Sequence, residues 1–294
     1  MRVSTSQFYK VNGEQMSAAQ SKVAELQTKL GSGKQMVKPS EDPGKANLIS
    51  GLEDAKKRQE TYTKNVDAAE TRLTAESAVL DSMTTIMQRI TQLTIQSASD
   101  TLGVSDRDVI ATEIEALRDE LLNLTNTQDL TGAYIFSGNK TSSPAFVEDS
   151  NGTVSYNGDY GRLAINVSDV RSIAINTLGP DLFSAADFKA LDDLVVDLRN
   201  ANGAGVRTKL ASVNGINDRL INSYGSMAGR LAAIESQRSV IDETTLRIDE
   251  LLIREDDLDY AEAVTELSKE SVALQALQAS FVKVAQLSLF NFLS

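Results

Sequence analysis

Residues 260–294 read YAEAVTELSKESVALQALQASFVKVAQLSLFNFLS. Leu274, Leu277, Phe281 and Val284 recur there at steps of three, four and three. That spacing lays one apolar stripe along a helix over 260–292, about 50 Å long at 1.5 Å per residue. The acids Glu255, Asp256, Asp257 and Asp259 stand just before it, where carboxylates favour the positive end of the helix dipole and cap free N–H groups. A helix with a single stripe needs a partner, and a matching stripe lies at the other end of the chain. Met16, Ala19, Val23, Leu26 and Leu30 alternate steps of three and four, as in a coiled-coil seam. The two chain ends are therefore expected to pair, folding the protein back on itself.

Between the ends the helical period continues. Gly31-Ser32-Gly33 stops the first helix, and Pro39-Ser40-Glu41-Asp42-Pro43-Gly44 reads as a joint, with Pro39 and Pro43 as its hinge residues. Tyr62, Val66, Ala69, Leu73, Leu80, Met83, Met87 and Ile90 hold one seven-residue frame in a long second helix. Glu76 fills the missing place in that frame, which predicts a carboxylate snorkelling to water or an open bundle. A third helix is expected over about 106–126, with Ile110, Ile114, Leu117, Leu121 and Leu124 on one face and its cap in Ser105-Asp106-Arg107-Asp108. After Arg207 the steps of four and three run from Val213 to Leu252, interrupted by Asn217, Arg238 and Thr245 as register-setting polar members.

Between Gly132 and Leu178 the pattern changes. The β-favouring runs Ala133–Phe136, Thr153–Tyr156, Leu163–Val167 and Ser172–Ile175 are separated by Gly, Pro, Asn and Asp, and Asn157-Gly158-Asp159 reads as a hairpin tip. One helix carrying Phe188, Leu191, Val195 and Leu198 is laid on this unit. The fold class expected is mainly α: a long-helix coiled-coil bundle built by the N- and C-terminal segments, with a small β-rich domain inserted at the fold-back point. Its divisions are 1–38 with 256–294 as a terminal hairpin, 39–131 with 206–255 as a bundle, and 132–205 as the insertion.

Composition narrows the chemistry. The 294 residues carry a net charge of −12, from 29 basic and 41 acidic side chains, which repels phosphate backbones and anionic lipid; neither nucleic acid nor membrane is expected as a partner. There is no Cys and no His, which removes thiol and imidazole catalysis and the commonest transition-metal ligands. No catalytic, cofactor or metal site is expected. Gly31-Ser32-Gly33-Lys34 lacks the features of a phosphate loop, since Thr28 stands where the first Gly belongs and Gln35 where Ser or Thr would hold magnesium. The acids at 255–259 lack the central Gly of a calcium loop. The sequons at Asn123, Asn139, Asn151 and Asn166 are discounted without a secretory signal, and no apolar run is long enough for a membrane span.

A terminal hairpin has one dry side, and Phe8, Val272, Leu287, Leu289, Phe290, Phe292 and Leu293 lie off its stripe or beyond it. Such side chains, each worth about 1.5–3 kcal/mol when fully buried, favour association. The expected interface comprises Phe8, Met16, Val23, Leu26, Leu30, Leu274, Leu277, Phe281, Val284 and Phe290.

Four stretches carry a family resemblance: Met1-Arg2-Val3-Ser4-Thr5; Gly33-Lys34 with Pro39-Ser40-Glu41-Asp42-Pro43; Asn126-Thr127-Gln128 through Gly132-Ala133-Tyr134-Ile135-Phe136-Ser137-Gly138; and Leu274-Gln275-Ala276-Leu277-Gln278-Ala279-Ser280-Phe281. In that order they resemble the bacterial flagellin family, and Tyr134 to Gly138 with the Pro39–Pro43 joint resembles its members at the junction of hook and filament. The resemblance implies a self-assembling structural protein rather than an enzyme, exported unfolded by the flagellar type III machinery without a cleavable signal and located in the extracellular flagellum. It implies as partners further copies in a ring or tubular lattice, the first hook-associated protein on the hook side, flagellin on the filament side and an export chaperone. A short filament flagellin and, from another class, a cytosolic coiled-coil interaction module are the alternatives. Met87 to Gln96 with Glu113 also resembles the flagellin segment read by Toll-like receptor 5; Arg89, Leu93, Gln96 and Glu113 match the receptor-facing positions, against the simpler expectation that they meet the next subunit or water.

Overall fold

Each long apolar repeat becomes one long helix. A computed structural model describes residues 2–99 and 101–293, with side chains described at 7, 9–99 and 101–283. In chain order it contains α1 (Arg2–Ser32), α2 (Pro43–Ser97), α3 (Val104–Thr125), β1 (Phe146–Glu148), β2 (Val154–Tyr156), β3 (Ala164–Asn166), β4 (Ser172–Ala174), α4 (Gly179–Leu182), α5 (Ala185–Arg199), α6 (Gly203–Asp256) and α7 (Tyr260–Leu293). The class is mainly α with a small β-rich insertion, as the periodicities predict. Two units emerge, one from both ends of the chain (1–58 with 244–294) and one from its middle (59–243).

The middle unit is built around the second-helix frame. Val66, Ala69, Leu73, Leu80, Met83, Met87 and Ile90 are all fully buried, in one cluster with Ile110, Ile114 and Leu121 of α3 and Val213, Leu220, Met227, Ile234 and Ile241 of α6. Phe136, Phe146, Phe183 and Phe188 extend the same cluster into the insertion. Phe188, Leu191, Val195 and Leu198 of α5 face inward together, which is the i, i+3, i+7 stripe that their spacing requires.

The insertion pairs differently from its sequence reading. β1 pairs antiparallel with β2, Phe146 opposite Tyr156, and β3 with β4, Ala164 opposite Ala174. The first hairpin's tip is therefore Asp149 to Thr153, not Asn157-Gly158-Asp159. Asp149 Oδ1 accepts the amides of Asn151 and Thr153, and Gly152 takes φ +77°, a left-handed turn position suited to glycine. Residues 157–159 instead lock the segment after β2, with Asp159 N–H donating to Ser137 O at 3.0 Å and the Tyr156 hydroxyl to Asp159 O at 2.6 Å. Ala133–Phe136 forms no strand. It makes a single bridge, Tyr134 with Gln128, while Ile135 and Phe136 plug the core. An apolar run of four supplies burial equally well to either conformation, so its composition does not distinguish them.

Three further local expectations change. The N-cap of α3 is Gly103, which makes no side-chain cap bond; Ser105 and Asp106 fall inside the helix. α6 begins at Gly203, before Arg207, because Asn202 Oδ1 accepts the Gly205 amide at 3.0 Å and caps a turn that the two glycines weaken. Glu76 does not reach water. It is fully buried and hydrogen-bonded by the Thr177 hydroxyl, with Arg230 NH2 at 3.2 Å.

Candidate assembly interface

The terminal unit is assembled at its two chain reversals. Gly33 sits at φ +72°, a backbone conformation that ends α1 and that side chains with a Cβ resist. The chain then crosses to the α6–α7 connection. Gln35 N–H donates to Asp256 O at 2.7 Å, Leu258 N–H to Gly33 O at 3.0 Å, and Lys34 Nζ meets Asp256 Oδ2 at 2.6 Å. The bond to Asp256 raises the Lys34 pKa. Asp259 Oδ1 accepts the amides of Ala261 and Glu262 at 2.9 and 3.2 Å, so one member of the acidic run caps α7 as expected.

From this clip α1 and α7 run side by side. Leu26 is 3% exposed; Met16, Ala19, Val23 and Leu30 on α1 and Leu274, Leu277 and Phe281 on α7 are partly buried. Tyr9 and Phe281 meet edge to face, ring centroids 5.5 Å apart, a geometry that aromatic quadrupoles favour. The side chains of Phe8, Val284, Leu287, Leu289, Phe290, Phe292 and Leu293 lie outside the described residues. Off the stripe, Val264, Val272 and Val282 of α7 are 50%, 65% and 51% exposed and Val11 of α1 is 44% exposed. At 100° per residue the three α7 valines occupy one sector about 80° wide, apart from the stripe that meets α1. The hairpin thus buries one row and leaves a second apolar row in solvent.

Pro39 and Pro43 are both exposed, in a turn braced from α1. Lys29 Nζ lies 3.0 Å from both Glu25 and Glu41, and the Glu41 carboxylate accepts the Lys38 amide at 3.0 Å. Partial burial works against the Lys29 charge, but the bonds to Glu25 and Glu41 outweigh it and raise its pKa; the bond from Lys29 holds each glutamate below its ordinary range. Pro43 opens α2, and Asp42 Oδ1 caps it by accepting the Lys45 amide at 3.0 Å.

In the middle unit, Arg89 and Glu113 face each other at 2.7 Å, and Gln96 is exposed. Leu93, at 2% exposure, packs in the core and does not share that surface.

Two buried charge clusters have no counterpart in the spacing of the sequence. Arg230 donates to the carbonyls of Ala174 and Asn176 at 3.3 and 2.9 Å and to Thr177 and Glu76, while Arg72 donates to Ile175 O at 3.1 Å. Together they hold the segment that leaves β4 against α2 and α6. Burial pushes the Glu76 carboxyl up against the opposing pull of Thr177 and Arg230. Arg118, almost wholly buried, meets Glu148 at 2.6 Å, Asp192 at 2.9 Å and Asp119 at 3.1 Å, and lies 5.8 Å from the centre of the Phe188 ring. The one sequence signal was Glu76, the charge that breaks an apolar frame; its partners come from distant parts of the chain.

A paired-end helical hairpin that leaves a second apolar row exposed is suited to association, and the comparisons are with flagellar proteins. The bacterial flagellin N-terminal helical region matches residues 3–141. Over 99% of its length, and 99% of theirs, the chain is 28% identical to flagellar hook-associated protein 3 of Escherichia coli K12 and 25% identical to that of Salmonella typhimurium LT2. The fold is similar to the flagellar junction protein FlgL of Legionella pneumophila, with TM-score 0.63 and 15% identity over 71% of this chain and 99% of that one. It is likewise similar to FlgL of Bacillus cereus, with TM-score 0.60 and 19% identity over 69% and 99%.

Proposed function

We propose that this chain is a structural, non-enzymatic protein of the bacterial flagellum that joins the hook to the filament by self-assembly through its terminal helices. The observation that carries this reading is the α1–α7 hairpin, which satisfies one apolar row internally and leaves Val264, Val272 and Val282 to a neighbour. Covering such half-exposed side chains favours association by roughly 1 kcal/mol each, at about 25 cal/mol per Å². The full-length likeness to proteins named flagellar hook-associated protein 3 supports the same role.

In this reading residues 1–38 with 256–294 form the assembly hairpin, 39–131 with 206–255 a helical bundle, and 132–205 the inserted domain. Met16, Val23, Leu26, Leu30, Leu274, Leu277 and Phe281, extended by Phe8, Val284 and Phe290, close the hairpin through which the chain assembles, the Val264, Val272 and Val282 row meets the neighbour, and Pro39 and Pro43 let the hairpin adjust to the lattice. Arg89, Gln96 and Glu113 are assigned to contacts with the next subunit or with water. The partners are further copies in a ring or tube, the first hook-associated protein, flagellin and an export chaperone, and the location is the external flagellum, reached by type III export. Deletion of the gene in its host tests this. Cells with hooks, no attached filament and flagellin shed into the medium are expected; intact motile filaments would refute the assignment.

A further inference from the structure

Within the middle unit, a cavity of about 350 Å³ opens between α6 and the segment that follows β4. Arg162, Arg219 and Arg230 line it together with Asn222, Ser226 and one acid, Asp181. In a chain with 41 acidic residues against 29 basic ones, this convergence runs against the overall charge.

Each arginine is oriented by an existing bond. Arg162 NH2 meets Asp181 Oδ2 at 2.9 Å, Arg219 NH2 meets Asp187 Oδ1 at 2.6 Å, and Arg230 NH1 is anchored on the Asn176 carbonyl at 2.9 Å. A guanidinium carries five N–H donors, so the carboxylate bonds of Arg162 and Arg219 fix their direction while leaving donors for a second acceptor; Arg230, whose NH1 and NH2 already meet Ala174 O, Asn176 O, Thr177 and Glu76, contributes its charge. Arg230 Nε is buried with no hydrogen-bond partner, a costly condition for a charged group. Asp181 and Asp187 orient Arg162 and Arg219, and Arg230 is paired with the buried Glu76.

We propose that this cavity is an oxyanion site: it takes a carboxylate or a phosphate-type group between Arg162, Arg219 and Arg230, with Asn222 and Ser226 completing the donor set. The ligand class follows from the donors, because oriented guanidiniums match the paired oxygens of carboxylate and phosphate. The site lies outside the terminal hairpin and does not depend on assembly.

Isothermal titration of the full chain with inorganic phosphate, sulfate and N-acetylglutamate, at constant ionic strength, tests the proposal. Saturable binding of phosphate or sulfate identifies a free oxyanion as occupant; binding of N-acetylglutamate alone identifies a protein carboxylate, and both outcomes support the site. Ser226→Asp, on an exposed position of α6, and Arg162→Gln, 55% exposed, should each weaken binding about tenfold or more, the loss of one charge-assisted bond. Circular dichroism of both variants should match the parent. Absence of saturable binding for all three probes, or equal binding by the parent and folded Ser226→Asp, would overturn it.

Discussion

Gly33 is held by two constraints at once. Its φ is +72°, and a Cβ built there would lie 2.8 Å from the Tyr260 hydroxyl. Gly33→Ala should cost about 1–3 kcal/mol by strain at this backbone position, measured as a lower urea midpoint; adding Tyr260→Phe should restore part of the loss by removing the crowding oxygen. Glu76 makes a pH prediction. Its folded pKa is raised above the ordinary 4.5, so between 4.5 and the raised value the folded state binds more protons than the unfolded one. Stability therefore falls as pH rises through that window. Glu76→Gln removes this dependence, and urea unfolding at several pH values should show the parent losing stability relative to the variant as pH climbs above 4.5. Equal slopes for both proteins would mean that the buried carboxyl does not titrate there.

Among the helices, α1 and α7 depend on each other for burial. Leu26, at 3% exposure, is the most enclosed member of the predicted α1 stripe, and Leu26→Ala should destabilise the hairpin by about 2–5 kcal/mol through lost contact and a residual cavity. Hydrogen exchange is the appropriate readout: protection should fall in both α1 and α7 while the core amides of the middle unit keep theirs. The Lys34–Asp256 pair beside it should matter much less. Lys34 is nearly half exposed, and ion pairs in that setting contribute at most about 1 kcal/mol. The packing of leucines therefore holds the hairpin, with the clip setting its register.

The proposed assembly uses the row that the single chain leaves open. Val272→Asp places a charge in the exposed sector of α7 without touching the stripe that meets α1. The monomer's thermal midpoint should stay within about 1 °C of the parent, as a surface change of a few tenths of a kcal/mol implies, while sedimentation should show the loss of ring or tube formation. Assembly at parental levels would exclude this valine row as an interface.

What could be read without coordinates was whatever repeats. The frames through Val66 to Ile90 and Val213 to Ile248 needed only the 3.6-residue period, because one face of each long helix must leave water and every turn repeats the demand. The stop at Gly33 and the cap at Asp259 were legible for a related reason, since each satisfies backbone groups within a few residues. The pairing of β1 with β2 was not, because a three-residue strand carries too little pattern to declare its partner. Nor were the clamp of Arg72, Glu76 and Arg230 on residues 174–177 or the arginines around the cavity. A buried charge persists only where partners from other segments reach it, and which segments those are is decided by the packing of the long helices, after the local periods have done their part.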